Sequence, residues 1–426
     1  MKIKELKGIK DYLPEEQILR EKIIDILKEK FKIYGFKPIE TSILDYYEIA
    51  ASKYAGSEII KEIYKLKDRG NRELCLRYEL TFKLAKLIAL NPNIRFPFKR
   101  YEIGKVFRDG PVKKGRLREF TQCDIDIIGI KSFVADAEII ALAFDIFKTL
   151  DISVFAYINS INILFGIFDY CEIDREKFND IALSIDKIEK LGKNYVIEEL
   201  RKKGIKEKNI KKIFEIFDSL ENKNNEEKID YLKNLKNDIL NKGINEIEEV
   251  LKFLSYLGIN KNIIFNPSLA RGLSYYTSLI WEFYAKNKIK SSIAAGGRWD
   301  NLISKFLNTD KEYPATGMSF GLDVIYEILK EKYKDKLNII KVLIIPINTL
   351  EKCLEISNIL RKNKISCSII YEKNLKKALD YANKEKIKYC LIIGEKEIKE
   401  GKLKLKDMES GEEKLLYLQE VIEKLK

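Results

Sequence analysis

The 426-residue sequence contains no histidine. That absence excludes Ser-His-Asp and Cys-His nucleophile systems, HExxH zinc sites and any imidazole proton shuttle. Catalysis is left to carboxylates, Arg, Lys, Tyr, backbone groups or a bound ion. Cysteine is sparse: the six residues Cys75, Cys123, Cys171, Cys353, Cys367 and Cys390 form no CxxC pair and none of the spacings of a zinc site or disulfide framework. This usage fits a reducing cytoplasm, the expected location. Long apolar runs are also missing. No stretch approaches ~18 uninterrupted apolar residues, and the opening MKIKELKGIKDYLP lacks the apolar core of a secretion signal. Neither a membrane nor a secreted setting is expected.

What is present is ample core material: 46% of residues are hydrophobic and 34% charged. At ~150 residues per domain the length corresponds to about three domains. Lys plus Arg total 79 against 66 Asp plus Glu, and the formal charge of +13 favours a polyanionic partner such as nucleic acid or a nucleotide. The alternative is biased codon usage, since the chain is rich in Lys, Ile and Asn and has only 8 Pro.

Apolar residues Leu19, Ile23, Ile26, Leu27, Phe31 and Tyr34 recur at helical spacing after Leu13-Pro14, and Gly35 marks a stop. Residues 36–44 read as a strand containing Pro38, which belongs at a sheet edge because proline lacks an N–H. Residues 98–108 and 118–129 read as two strands joined by DGPVKKGRL, a hairpin with a cationic tip. Alternation puts Phe120, Gln122, Asp124 and Asp126 on one face and Thr121, Cys123, Ile125 and Ile127 on the other. A polar stripe on a sheet covered on its other side implies a wet, ligand-lined cleft. At RYELT, the same alternation groups Arg77, Glu79 and Thr81, suited to gripping an ammonium; an exposed charged strand is the plain alternative.

Residues 166–258 turn Lys/Glu/Asn-rich with helical spacing (Ile181, Leu183, Ile188, Leu191, Ile213, Ile216, Leu220) and read as a helical insertion. Strand-like sequence returns at 273–284, followed by AAGGRWDNLISKF and YPATGMSFGLDVIYEIL, where small residues are expected to crowd against a helix. From Leu337 strands and helices alternate, as in an α/β domain with a mainly parallel sheet. Residues 334–426 hold 21 Lys/Arg and 15 Asp/Glu, denser in positive charge than the rest and suited to an RNA-facing module.

The segment KRYEIGKVFRDGPVKKGRLREFTQCDIDIIG resembles motif 2 of class II aminoacyl-tRNA synthetases, specifically the histidyl-tRNA synthetases. KGIKDYLPEE, the motif 1-like IETSILD, LRYELT, LARGLSYYTSLIWEFY, AAGGRWDNLI and the motif 3-like ATGMSFGLD follow that family's order. The terminal region is similar to the family's anticodon-binding domain. The resemblance implies an α/β and α+β multidomain chain. Residues 1–165 and 259–333 would form an antiparallel-sheet catalytic core, 166–258 a helical insertion and 334–426 a C-terminal α/β anticodon-binding domain. It also implies histidine–tRNA ligase activity: L-histidine is activated with ATP, accompanied by Mg2+, and transferred to tRNA(His) by a cytoplasmic homodimer.

By the same resemblance Arg108 clamps the α-phosphate, Arg116 reaches the ATP phosphates and Phe120 stacks on adenine. Arg271 bridges the histidine carboxylate and the α-phosphate, giving Arg271 and Arg108 the catalytic roles. Glu79, Thr81 and Gln122 hold the α-ammonium, and Asp126 and Tyr276 hydrogen-bond the imidazole; Tyr275 completes the histidine contacts. Four residues depart from the family pattern: Val324 stands where motif 3 has arginine, Ser274 where an acid is common, Trp299 where tyrosine is usual and Asp126 where some members have the longer glutamate. A charge-assisted phosphate contact is worth ~1.5–3 kcal/mol, so Val324 implies weaker ATP binding or slower activation. The alternatives are a non-catalytic paralogue, either a histidine sensor like the regulatory subunit of ATP phosphoribosyltransferase or an RNA-binding factor. The basic terminal module argues against the regulator, and joint retention of Arg108, Gln122 and Arg271 against the RNA-binding factor.

Overall fold

The helix expected after Leu13 runs Pro14–Ile33, and the chain turns out of it at Gly35, whose φ of +80° a side chain would resist. The computed structural model describes residues 3–53, 58–112, 117–259, 261–272, 275–286, 291–333, 338–372 and 374–426. Contacts divide the chain into two compact units, Met1–Asp11 with Ile23–Ile328 and Tyr12–Lys22 with Leu329–Lys426.

The first unit is built on an eight-stranded sheet. The expected strand over 36–44 is instead two short pieces, β1 (Lys37–Pro38) and β2 (Leu44–Tyr46). β1 is an edge strand parallel to β5 (Phe98–Phe107), as Pro38 requires. The break has a physical cause: the Thr41 N–H leaves the ladder and donates to the Glu102 carboxylate at 2.9 Å. β2 instead joins β3 (Lys65–Lys67) and β4 (Glu73–Leu76) in a separate three-stranded sheet. β4 ends at Leu76, so Arg77, Glu79 and Thr81 do not share a strand face; Thr81 already opens the helix Thr81–Leu90.

The hairpin formed as expected. β5 pairs antiparallel with β6 (Glu119–Ile128), from Phe98↔Ile128 to Phe107↔Glu119. The large sheet continues with β7 (Val154–Ser160), β8 (Ile263–Phe265), β9 (Leu279–Ala285), β10 (Ala294–Arg298) and β11 (Ala315–Gly321) in the order β1-β5-β6-β11-β10-β9-β7-β8. The inner pairings are antiparallel and the two outermost, β1–β5 and β7–β8, are parallel. One face is sealed by aromatics: Phe31 lies 5.4 Å from Tyr101 and 5.7 Å from Phe320, and Phe147, on the helix Val134–Thr149, lies 5.7 Å from Phe283. With that face dry, the opposite face is available for polar side chains.

Between β7 and β8 the chain is helical from Ile161 to Tyr256 among the described residues. The helices Ile161–Tyr170 and Asp238–Tyr256 cross in backbone contact because each carries a glycine there: a Cβ on Gly166 would fall 2.5 Å from Leu240 N, and one on Gly243 2.7 Å from Ile163 N. At the far end of β10, buried Arg298 binds Asp136 and the carbonyls of Ile130 and Ser132, each carbonyl at 3.1 Å. That network ties the AAGGRWD segment to the helix Val134–Thr149.

The second unit holds a five-stranded sheet of β12 (Val342–Ile347), β13 (Cys367–Ile369), β14 (Tyr389–Gly394), β15 (Leu403–Asp407) and β16 (Glu413–Leu416), in the order β13-β12-β14-β15-β16. Strands and helices alternate as expected, but the sheet is mixed: β13, β12 and β14 are parallel while β15 and β16 return antiparallel. The helix Glu395–Glu400 was not foreseen in the sequence. All six cysteines are free thiols. No helix among the described residues is long and apolar enough to cross a membrane.

The glycine crossing yields a direct test. Gly243→Ala must push apart two backbones and is expected to destabilise the chain by about 1–3 kcal/mol, read as a lowered urea midpoint at unchanged m-value.

Candidate functional site: a polar cleft on the antiparallel sheet

The open face of the large sheet forms a cleft of about 520 Å³. Alternation along β6 delivers Phe120, Gln122, Asp124 and Asp126 to it, as the polar stripe implied. β11 contributes Gly317, Ser319 and Gly321, in register with Asp126, Asp124 and Gln122. The strands whose small residues were expected to crowd a helix do pack on the helix Val134–Thr149, and Ala295, Gly296, Gly317 and Gly321 also line the cleft. A Cβ on Gly317 would fall 1.9 Å from Asp126 Oδ1, and one on Gly297 would fall 2.6 Å from the Leu279 carbonyl and 2.8 Å from the Tyr276 ring.

Beneath the cleft runs a buried line of alternating charge. Arg77 donates to the Thr41 carbonyl at 2.8 Å, the Lys105 carbonyl at 2.7 Å and Glu102 at 3.0 Å. Glu102 lies 3.9 Å from Arg100, and Arg100 Nη2 lies 2.5 Å from Asp126 Oδ2. Arg77, grouped in the sequence with Glu79 and Thr81, therefore serves this foundation, while Glu79 and Thr81 line the cleft.

Asp124 and Asp126 are 3% and 2% exposed. Burial pushes the Asp124 carboxyl up to about 7 against the pull of Arg100. Asp126 is raised well above the usual carboxylate range by burial, opposed by Arg100, with Asp124 adding to the rise and a hydrogen bond from Trp299 reducing it. Gln122 donates to Ser319 Oγ at 3.1 Å, while its Oε1 and Asp124 Oδ1 are buried acceptors with no partner among the described residues. Orphaned acceptors on a cleft wall are what a donor-bearing ligand would satisfy.

The cationic groups stand at the rim. The Arg108 guanidinium lies 4.3 Å from the Tyr78 ring centre and 5.0 Å from that of Phe120, and its Nε donates to the Tyr78 carbonyl at 3.3 Å. Arg271 pairs with Glu282 and lies 5.8 Å from the Tyr276 ring. Burial opposes its charge, but Tyr276 and Glu282 hold the guanidinium firmly protonated. Tyr275 donates to Glu79 at 3.1 Å. Desolvation raises the Tyr276 phenol above its ordinary value, with Arg271 pulling it back. Arg116 and Ser274 lie outside the described residues.

A family model described as histidyl-tRNA synthetase matches residues 8–325, and one described as an anticodon binding domain matches 341–426. The chain belongs to the histidyl-tRNA synthetase family. Histidine--tRNA ligase 1 of Bacillus anthracis is 47% identical over 418 residues, covering 97% of this chain and 97% of that protein. The crystal structure of histidyl-tRNA synthetase from Nostoc sp. PCC 7120 superposes with a TM-score of 0.86 at 29% identity, covering 100% of this chain and 99% of that one. A Bacillus halodurans C structure described as an ATP phosphoribosyltransferase regulatory subunit/histidyl-tRNA synthetase shares the fold at TM-score 0.76 and 21% identity, over 92% of this chain and 98% of that one.

For a histidyl-tRNA synthetase this cleft gathers the described residues assigned to substrate in the sequence: Glu79, Thr81, Arg108, Phe120, Gln122, Asp126, Arg271, Tyr275 and Tyr276. Val324, at the motif 3 arginine position, also lines it. Trp299, in place of the family's usual tyrosine, is buried and hydrogen-bonds Asp126. Sequence reasoning gave Asp124 a place on the polar face but no role, and missed Ser319 and Glu282. Asp124 shares its face with Gln122 and Asp126, Ser319 lies between two glycines at period two, and Glu282 is the lone charge in LIWEFYA. Those were the available signals.

The Asp124 carboxyl makes stability depend on pH. Its ordinary value is 3.8 and its folded value about 7. Between these the folded chain keeps a proton that the unfolded chain has lost, so this residue's contribution to stability falls as pH rises. Asp124→Asn is expected to flatten that part of the decline, measured as the urea midpoint at pH 4 to 7.

Proposed function

We propose that the chain is a histidine–tRNA ligase, which activates L-histidine with ATP to histidyl-adenylate and transfers it to the 3′ end of tRNA(His). The observation that carries this reading is the convergence, on one cleft, of two rim arginines with a floor of buried acceptors. Activation develops negative charge on a transferring phosphoryl group, and guanidinium groups at fixed positions stabilise it. Arg108, pinned between two aromatic rings, meets the α-phosphate, and Arg271 meets both that phosphate and the histidine carboxylate. Arg116, outside the described residues, is assigned to the ATP phosphates on the family resemblance alone. Phe120 offers adenine the ring face that Arg108 does not occupy.

At the floor the α-ammonium takes Glu79, Thr81 and the vacant Oε1 of Gln122, with Tyr275 orienting Glu79. The imidazole lies between Asp126 and Tyr276. A ring offering one donor and one acceptor satisfies both, whereas an apolar isostere leaves buried polar groups unpaired. The buried acids are poised to accept a donor, because each donor supplied by the ligand offsets part of the burial cost that raises them. Mg2+ would arrive on the ATP phosphates. Asp323, which lines the cleft and accepts the Thr121 amide at 3.2 Å, offers the hard oxygen such an ion takes.

On this reading residues 1–165 and 259–333 are the catalytic core, 166–258 the helical insertion and 334–426 the anticodon-binding domain. Support comes from the large sheet, which interleaves strands from both core stretches, and from the basic terminal unit, which suits tRNA. A cytoplasmic homodimer meeting through the motif 1 segment is part of the reading; Ile43, Leu44 and Tyr46 expose apolar surface there.

The test is amino-acid-dependent ATP–pyrophosphate exchange with histidine, threonine, proline and glycine. Exchange with histidine alone is expected. Arg271→Gln should lower kcat by about a hundredfold. Val324→Arg, which restores a phosphate contact, should lower KM for ATP by about tenfold.

A further inference from the structure

Glu282 is the one charge on β9 and faces the cleft, opposite Tyr157 of β7 and Ala295 of β10. One of its oxygens binds Arg271 Nη1, and the other accepts the O–H of Tyr284, two residues along the same strand face. The Tyr284 ring is itself clamped. It stacks on Phe155 at 5.7 Å and 18° and meets the edge of Tyr157 at 5.5 Å. Its oxygen therefore has a fixed place, and only the proton is free to turn.

A second carboxylate reaches that oxygen. Glu189, from the short helix Ile188–Leu191, lies 3.1 Å from it. A phenol has one proton, so two carboxylates at its oxygen compete for it. The helical stretch touches the cleft at a second point too, where Asp186 lines it beside Gly272 and acts on Arg271 through charge.

The consequence concerns Arg271. Its Nε is buried with no partner among the described residues, and the guanidinium is held by Glu282 together with the Tyr276 phenol. A carboxylate anchored at both oxygens holds a guanidinium in one pose, whereas one anchored at a single oxygen lets it swing.

We propose that Tyr284 is a positioning residue for Arg271, acting through Glu282, and that Glu189 is the competing acceptor by which the helical stretch loosens this hold. The inference rests on the assignment of Arg271 to the reacting carboxylate and phosphate. Neither Tyr284 nor Glu189 touches substrate; both act on how often Arg271 is in place when the phosphoryl group transfers.

The test is histidine-dependent ATP–pyrophosphate exchange, with the parent chain measured first. A parent without exchange overturns the ligase reading itself. With exchange present, Tyr284→Phe keeps the ring stack and removes the proton. It is expected to lower kcat by about tenfold, with KM for histidine and ATP within about twofold and Tm unchanged. Glu189 is exposed, so its substitution leaves folding intact. Glu189→Gln removes the competing charge and supplies an N–H to the phenol oxygen. It should raise kcat by about two- to threefold, and the gain should vanish in the Tyr284→Phe background. Four results would overturn the proposal: parental kcat in Tyr284→Phe, a kcat loss tracking a fall in Tm, parental kcat in Glu189→Gln, or a Glu189→Gln gain that survives without the phenol.

Discussion

The line Arg77–Glu102–Arg100–Asp126 is the constraint on which the rest of the cleft depends. All four groups are buried, and buried charges of one sign alone would cost several kcal/mol each. Alternation of sign makes the line tenable, and the cross-strand register of β5 and β6 sets that alternation: Arg100 faces Asp126, and Glu102 faces Asp124. A slip of one residue would turn the charged groups of the slipping strand to the aromatic face. The line also fixes the surroundings. Glu102 takes the amide and hydroxyl of Thr41, which ends β1, and Gly104 is required because a Cβ there would fall 2.2 Å from Arg77 Nη2.

Upon this foundation the sheet separates two environments by the parity of its residues. Odd positions of β6 meet the aromatic side, and even positions meet the cleft. A site on strands inherits the rigidity of the ladder, so the acceptors at its floor are held without loops to order them. The rim is different. Arg108 depends on two aromatic rings and Arg271 on Glu282, contacts made by arginines that lie outside the strands of the sheet.

Legibility followed physical range. The hairpin and its polar face were readable because a period of two leaves a mark within ten residues. The opening helix was readable from its apolar spacing and from Gly35. The strand over 36–44 was misread because nothing local reveals that the Thr41 amide is taken by a glutamate 61 residues on. Arg77, Glu79 and Thr81 looked like one face because β-like residues surround them, yet the chain leaves β4 at Leu76 and enters a helix at Thr81. The roles of Arg108 and Arg271 came from the family resemblance, since spacing alone does not distinguish a phosphate clamp from a surface arginine. Asp124 stood in plain view on the polar face, and only its burial and missing partner mark it out.

The glycine floor carries an evolutionary implication. Substrate range commonly broadens when a bulky side chain at the pocket wall is trimmed. At residues 296, 317 and 321 the wall is already bare backbone, so no atoms are left to remove there. Mutation at these positions can only shrink the space. Acceptance of a larger amino acid would demand that whole strands move apart, a change that the hydrogen-bonded ladder resists and that no single codon can supply.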